Sequence, residues 1–299
     1  MIMRRLFSLI CILLCSTAAF KAVQHPVPES LPDLARLRVD SNPARLEAVK
    51  EILRERGIPF ELQTFQSKST PHGRTRGTNV IISFGTGNKE ITVGAHYDAL
   101  ELYDGRMIEG MIDNGAGAII LMRVAGKLVG KSLNHRVRIV LFDMEEEGLI
   151  GSRAYVAAYK SDIAAAVNLD VTGLGDSLAY HLGKTDGIAV IHTAVERTCI
   201  DMRLSCIEFP LFPQGDDRSF QGAHIPVISI AMGPRPEIHQ AWLYLNGGEN
   251  SGLREGFIPP LMKMIHTNED TIDKIKPESV DLGVQLILNL ILKLDEAIK

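Results

Sequence analysis

Five short polar clusters in this 299-residue chain hold side chains suited to binding a cation: His96-Tyr97-Asp98, Asp113-Asn114, Glu145-Glu146-Glu147, Asp170 and His266. A metal-bound imidazole usually donates its other N–H to a carboxylate, and Asp98, two residues on, could take that bond from His96. The same spacing also describes a histidine that hydrogen-bonds locally at a strand end. Asp113-Asn114 comes just before the apolar run Ile119–Met122, where either residue could cap a helix by accepting from its orphan N–H groups. A carboxylate has two oxygens, however, so Asp113 could instead bridge two metal ions about 3.5–4 Å apart. Three adjacent acids at 145–147 repel one another unless counter-charged. Neighbouring residues at a strand end point different ways, so one carboxylate of the first pair can reach a metal while the other faces a substrate. Glu147 is then expected to face solvent. Asp170 and His266 complete the set, with Glu269 and Asp270 close enough to His266 in sequence to support it.

One imidazole plus carboxylates around each of two ions, with no thiolate, suits zinc, with cobalt or manganese as substitutes. His25, His72, His135, His181, His192, His224 and His239 lack such company and read as surface or packing residues. Among them, His224 and His239 are the first rivals for a ligand role.

The clusters need a scaffold that brings them together, and the surrounding pattern supplies one. Strands are expected at 79–84, 90–95, 136–142, 164–169 and 226–231. Helices are expected at 44–57, 115–129, 152–159, 187–199 and 277–298. Alternating strands and helices predict an α/β sheet covered on both faces. Gly85-Thr86-Gly87 suggests a hairpin joining 79–84 to 90–95, which would make the sheet mixed. Three of the clusters, at 96–98, 145–147 and 170, then fall at carboxyl ends of strands, where ligands bind in open α/β sheets. A carboxylate at the end of a buried strand needs something to offset its desolvation. Three on one edge point to a cation.

Composition sets the remaining bounds. The chain is 45% hydrophobic and 23% charged, with a formal charge of −4, and contains no internal repeat or linker-like stretch. A single domain is expected. The mild acidity argues against a nucleic-acid partner, which requires a basic footprint. At the N-terminus, Met1 to Arg5 is basic, Leu6 to Cys15 is apolar apart from Ser8, and small residues follow at 16–19. That is the order of a secretory signal peptide, with cleavage near Ala19 or Ala22, so residues 1–22 are assigned to it. The apolar run falls short of the roughly 20 residues that span a bilayer. No stable membrane association is expected after cleavage, and the protein is expected to be secreted or periplasmic. Residues 23–42 read as an extended lead-in or short pro-segment. Outside the signal, Cys199 and Cys206 remain. In an oxidising compartment they either form a short-loop disulfide or stand as two idle thiols.

Taken in order, HYD at 96–98, DNGAG at 113–117, EEEGLIGS at 145–152, NLD at 168–170 and HTNEDT at 266–271 resemble the co-catalytic di-zinc peptidases. That family includes secreted bacterial leucyl aminopeptidases, glutamate carboxypeptidases and glutaminyl cyclases. The resemblance spans most of the chain after the signal. It implies a three-layer α/β/α sandwich over a mixed, mostly parallel sheet, with residues 23–299 as the catalytic domain. It implies two zinc ions bridged by Asp113, with His96 and Asp170 completing one site and Glu146 and His266 the other. Glu145 would be the general base, and Asp98 would orient His96. A peptide is the implied substrate and aminopeptidase action the leading activity, with carboxypeptidase or dipeptidase action and glutaminyl cyclisation as alternatives. A non-catalytic binding domain on the same scaffold is a further alternative, disfavoured because every ligand and base position is intact. Arg106, Arg218 and Arg235 are the cations that a carboxypeptidase could use. Two departures stand out. Gly215-Asp216-Asp217 replaces the Ser-Asp-His common in the family. Residues 240–259 have no counterpart, and form either a lid or subsite wall using Trp242 and Tyr244 or a surface insertion.

Overall fold

The computed structural model describes residues 31–298 except 69, 71, 72 and 103, so the expected signal peptide at 1–22 lies outside the described residues. The chain opens with a short helix α1 (Pro32–Ala35) and a longer α2 (Asn42–Glu55), capped by the Ser41 hydroxyl. Strands β1 (Glu61–Gln66), β2 (Arg76–Phe84) and β3 (Glu90–His96) follow. Next come α3 (Ala116–Leu128), β4 (Arg136–Phe142), α4 (Ile150–Tyr159) and β5 (Ile163–Leu169). Strand β6 (Ser177–Leu182), α5 (Ile188–Met202), β7 (Ser205–Glu208), α6 (Asp217–Gly222) and β8 (Val227–Gly233) complete the sheet. The chain ends with α7 (Arg235–Asn246), α8 (Pro260–Met264) and the long amphipathic α9 (Pro277–Ala297).

The eight strands form one mixed sheet in the order β1-β2-β4-β3-β5-β8-β6-β7, as the expected sandwich requires. Its centre, β4-β3-β5-β8, is parallel. Antiparallel pairs flank that centre at β1-β2, β2-β4 and β6-β8. Successive side chains along a strand point to opposite faces. Accordingly, Val80, Ile82, Ile139 and Leu141 join the large core under α2, α3, α5 and α9, whereas Ile81, Val140 and Phe142 join a smaller core with Tyr155 of α4 and Phe220 of α6. Helices therefore cover both faces.

The hairpin expectation is corrected. β2 and β3 do not pair, because β4 lies between them, antiparallel to β2 and parallel to β3. The glycines that suggested a tight turn instead let the connecting loop cross the start of β4. A Cβ on Gly85 would lie 2.3 Å from the His135 carbonyl oxygen, and one on Gly87 2.6 Å from that of Asn134. The lead-in expectation is also corrected from residue 31 onward. Leu31, Leu34 and Leu37 are fully buried in the main core, so this segment is part of the folded body.

Parallel alignment of β4, β3, β5 and β8 puts their carboxyl ends on one edge. His96 is the last residue of β3, Asp143-Met144-Glu145 leaves β4, and Asp170 leaves β5. The sheet thereby delivers three of the five clusters to the same place. The other two arrive on loops: Asp113 from the helical turn Met111–Gly115 before α3, and His266 from the segment between α8 and α9.

Candidate metal centre

His96 is almost fully buried, and its two ring nitrogens face different partners. Nδ1 lies 3.1 Å from the main-chain oxygen of Asp98 and 3.5 Å from its carboxylate Oδ1. A carbonyl oxygen only accepts, so Nδ1 carries the proton, and in the neutral ring Nε2 keeps its lone pair. That lone pair points at Asp113 Oδ1, 3.0 Å away, and Asp170 Oδ1, 3.5 Å away. Across the centre, His266 Nε2 lies 3.1 Å from the other oxygen of Asp113 and 3.4 Å from Glu146 Oε2. Two trios result, His96-Asp113-Asp170 and Asp113-Glu146-His266, each with ligand atoms within 4.8 Å of one another. Asp113 belongs to both.

Lone pairs and carboxylates facing one another at these distances repel unless positive charge sits between them. Asp170 Oδ1 and Glu146 Oε1 are moreover buried without a hydrogen-bond partner, which is costly for a carboxylate. In a protein without metal, protons must supply the charge, and the electrostatics of the centre favour their uptake. Burial pulls the His96 pKa down, but Glu145, Asp113, Asp170 and Asp98 outweigh it and leave it well above 6.5. The hydrogen bond to Asp113 raises His266 to about 9 against the effect of burial. Burial pushes Glu146 up to about 8, with the charge of Asp113 adding to it. Asp113 moves the opposite way: burial raises it, but bonds from His266 and His96 hold it well below the usual carboxylate range. The donor set fits two divalent cations sharing Asp113.

Glu145 is in neither trio. Burial raises its pKa well above the usual range, with Asp216, Asp170 and Glu146 pushing the same way and His96 opposing. Its main-chain N–H donates to Asp98 Oδ1 at 3.2 Å, and that of Glu146 donates to Asp98 Oδ2 at 3.3 Å. The carboxylate of Asp98 thus clamps the acidic turn, while its carbonyl holds His96. Asp143 supports the same turn from behind, accepting from Arg74, Thr78 N and Met144 N. Met144 sits at φ 59, Val171 directly after Asp170 at φ 57, and His266 itself at φ 60. Left-handed backbone is strained for non-glycine residues, most of all for a β-branched one, and such strain gathers at functional sites. Gly151 lets α4 start against this turn, since a Cβ there would lie 2.2 Å from the Asp143 carbonyl oxygen.

Several expectations need adjusting. Glu147 is half-buried rather than solvent-facing, and its Oε2 is enclosed. Asp113 and Asn114 do not cap α3, whose N-cap is Gly115 with no side-chain bond, and Asn114 instead donates to the Leu169 carbonyl at 2.7 Å. His224 and His239 are exposed and belong to neither trio. His25 and His72 lie outside the described residues. Asp217 turns back into its own loop, accepting from Gly215 N and Gln221 Nε2. Asp216 is buried beside Glu145, and burial raises it to about 7. Of residues 240–259, Ala241 and Leu245 line a pocket next to the centre, whereas the aromatics do not. Trp242 packs toward the core and donates to the Glu208 carbonyl, and Tyr244 is exposed. Ala241 and Leu245 of α7, with Phe212, Leu261 and Ile265, line an apolar pocket that opens against Asp170. The sequence pattern did not reveal α7 and hence the pocket, because Ala241 and Leu245 lie in the continuous apolar and aromatic run 241–245, which marks no single face.

A model of peptidase family M28 matches residues 79–291. Leucine aminopeptidase 2 of Trichophyton rubrum is 25% identical over 228 residues, covering 72% of this chain and 44% of that protein. The chain therefore spans less than half the length of that curated relative. Among solved structures, the zinc aminopeptidase BSAP from Bacillus subtilis superposes with a TM-score of 0.57 at 19% identity, covering 73% of this chain and 50% of that one. Porphyromonas gingivalis glutaminyl cyclase superposes with a TM-score of 0.67 at 19% identity, covering 87% and 96%. At these identities the superpositions speak for the fold.

Proposed function

As the chain belongs to peptidase family M28, we propose that it is a two-zinc aminopeptidase, a hydrolase of N-terminal peptide bonds. The observation that carries this reading is the pair of donor trios sharing Asp113, with Glu145 beside both and part of neither. His96, Asp113 and Asp170 would hold one ion, and Asp113, Glu146 and His266 the other. When bound, the ions supply Lewis acidity, lowering the pKa of a water toward neutrality and polarising the scissile carbonyl. Glu145 takes the proton of the attacking water and returns it to the leaving amine. Asp98 keeps Nδ1 of His96 protonated through its carbonyl and fixes the direction of Glu145 through the amide clamp. The buried acids favour a substrate with a free α-amine, and the pocket beside Asp170 takes an apolar first side chain.

The carboxypeptidase alternative needs a free cation near the centre. Arg106 is paired with Asp104 and exposed, and Arg218 bonds Gln221. Arg235, exposed at the start of α7, remains as the cation such an enzyme could use.

Residues 1–22 are proposed as a signal peptide and 23–299 as the catalytic domain of an exported enzyme. One observation supports export: Cys199 and Cys206 are joined as a disulfide. The deciding experiment assays the purified protein side by side on amino-acyl, carboxyl-terminal and N-terminal glutaminyl substrates. Zinc-dependent turnover confined to the amino-acyl set is expected. Turnover confined to glutaminyl cyclisation or to carboxyl-terminal release would overturn the proposal.

A further inference from the structure

The turn that carries Asp113 is buried throughout, and its backbone is held by two buried charged side chains from distant parts of the chain. Asp270 is fully buried, and its carboxylate accepts three consecutive amides: Met111 N at 2.7 Å and Ile112 N at 2.6 Å on Oδ1, and Asp113 N at 3.0 Å on Oδ2. Arg45 of α2, also fully buried, grips the same segment from its other end, donating to the Glu109 carbonyl at 3.0 Å and the Gly110 carbonyl at 2.7 Å. The guanidinium lies so close to the turn that a Cβ on Gly115 would sit 2.7 Å from Arg45 Nη2. A row of carbonyls followed by a row of amides has a positive group at the first and a negative group at the second. Charge-assisted bonds of this kind are about twice as strong as neutral ones. The turn also needs such an anchor, because Asp113 and Asn114 have non-helical φ/ψ and the ordinary ladder is broken there.

Asp270 is also joined to His266. The two are four residues apart in one compact loop, closed by Asp270 N donating to the Thr267 carbonyl and by Thr267 Oγ1 donating to the Met264 carbonyl at 2.7 Å. Glu109 adds a second tie between the same segments, accepting from Ile272 N at 3.0 Å.

We propose that Asp270, braced by Arg45, is a positioning residue that holds the bridging carboxylate of Asp113 in register with His266. Through it the two metal sites share one mechanical reference. The proposal rests on the two-metal reading above. It assigns Asp270 the backbone of the opposing ligand as its target, whereas its sequence neighbourhood suggested support for the imidazole of His266. Asn at this position offers one acceptor oxygen and an NH2, so in either orientation at least one of the three amides faces a donor. The Asp113 turn must then shift, and both sites loosen together because Asp113 serves both.

The test measures zinc affinity of full-length wild type, Asp270→Asn and Asp295→Asn by competition with a chromophoric chelator. Melting temperatures of the metal-free proteins and absorption spectra of the cobalt-loaded ones are recorded alongside. Asp295 is a matched control: it is buried and accepts the Asn134 and His135 amides at 2.9 and 2.8 Å, at the opposite end of β4 from the centre. Asp270→Asn is expected to weaken both ions about 10- to 100-fold, the usual effect of removing a ligand's support, and to change the cobalt spectrum. Asp295→Asn should lower the melting temperature and leave affinity and spectrum unchanged. If Asp270→Asn does not fold, Asp270→Glu keeps the charge and both acceptors but displaces them by a methylene, and the same weakening is expected. Wild-type affinity and spectrum in a folded Asp270 variant, or equal losses in Asp295→Asn, would overturn the inference alone. A wild type that binds no zinc would overturn the two-metal reading and this inference with it.

Discussion

At the scale of single residues, the centre divides labour between neighbours that differ little in chemistry. Glu145 and Glu146 are adjacent, carry the same side chain and are both half-buried, yet only Glu146 lies within ligand distance of Asp113 and His266. If Glu145 is the proton carrier, Glu145→Gln should lower turnover by at least about 10²–10⁴-fold and leave both ions bound. Glu146→Gln should instead lose zinc, with partial recovery of turnover at excess metal. Metal analysis and kinetics on the two variants under one set of conditions check the assignment, and an interchange of the two phenotypes would reverse it. The protonation states give a second expectation. His266 at about 9 and Glu146 at about 8 both hold protons that a cation must displace. Since the folded pKa values are raised, lowering the pH adds protons to these ligands and weakens metal binding. Apparent zinc affinity at this site should fall about a hundredfold for each unit of pH below 8, a factor of about ten for each displaced proton, as read by competition titration at pH 6, 7 and 8. A pH-independent affinity would mean that these groups are not ligands.

At the scale of elements, the parallel strands supply direction and the short helices wall the pocket beside the centre. His96, Glu145 and Asp170 leave the sheet at the same edge because β3, β4 and β5 run the same way. Helix α7, by contrast, reaches the site only as a wall, with Ala241 and Leu245 turned toward the pocket and Trp242 turned toward Glu208. An Ala241→Phe substitution would fill the space that an apolar first side chain is proposed to occupy. It should reduce kcat/KM on a leucyl substrate by at least about tenfold relative to an alanyl one, within the 1–3 kcal/mol range of apolar pocket discrimination. Zinc content should be unchanged. Equal losses on the two substrates would show that this pocket does not read the first residue.

At the scale of the molecule, the sheet is stabilised on two faces of unequal size. The larger core takes in the first described residues, since Leu31, Leu34 and Leu37 are fully buried against the body formed with α2, α3 and α9. Leu34→Ala should therefore cost about 2–5 kcal/mol, the range for truncating a buried leucine, measurable by denaturant unfolding. A loss below 1 kcal/mol would return this segment to the status of a detachable lead-in. The Cys199–Cys206 bond ties α5 to the edge strand β7, far from the centre along the sheet order. Reduction should lower stability by roughly 2–4 kcal/mol without releasing metal, and melting curves with and without reductant would show it.

The sequence by itself determined the strands β2, β3, β4, β5 and β8 and the helices α2, α3, α4, α5 and α9, from β4 at 136–142 to α9 beginning at Pro277, but not the edge strands β1, β6 and β7 or the helices α1, α6, α7 and α8. It also singled out the residues that meet in the two trios. Both follow from local physics: periodicity is written in a few adjacent residues, and a carboxylate at the end of a buried strand stands out against its surroundings. Strand order was decided elsewhere. Which edge β2 shares depends on competition among all the strands, and β4, some fifty residues on, takes the place that a local hairpin would have given to β3. The tertiary structure alone also decided that Asp98 clamps the amides of Glu145 and Glu146 and that Asp270 reaches back to the Asp113 turn. A backbone amide is the same group at every non-proline residue, so the sequence carries no mark of which amides a buried carboxylate will find. Only the packing of the folded chain brings them within reach.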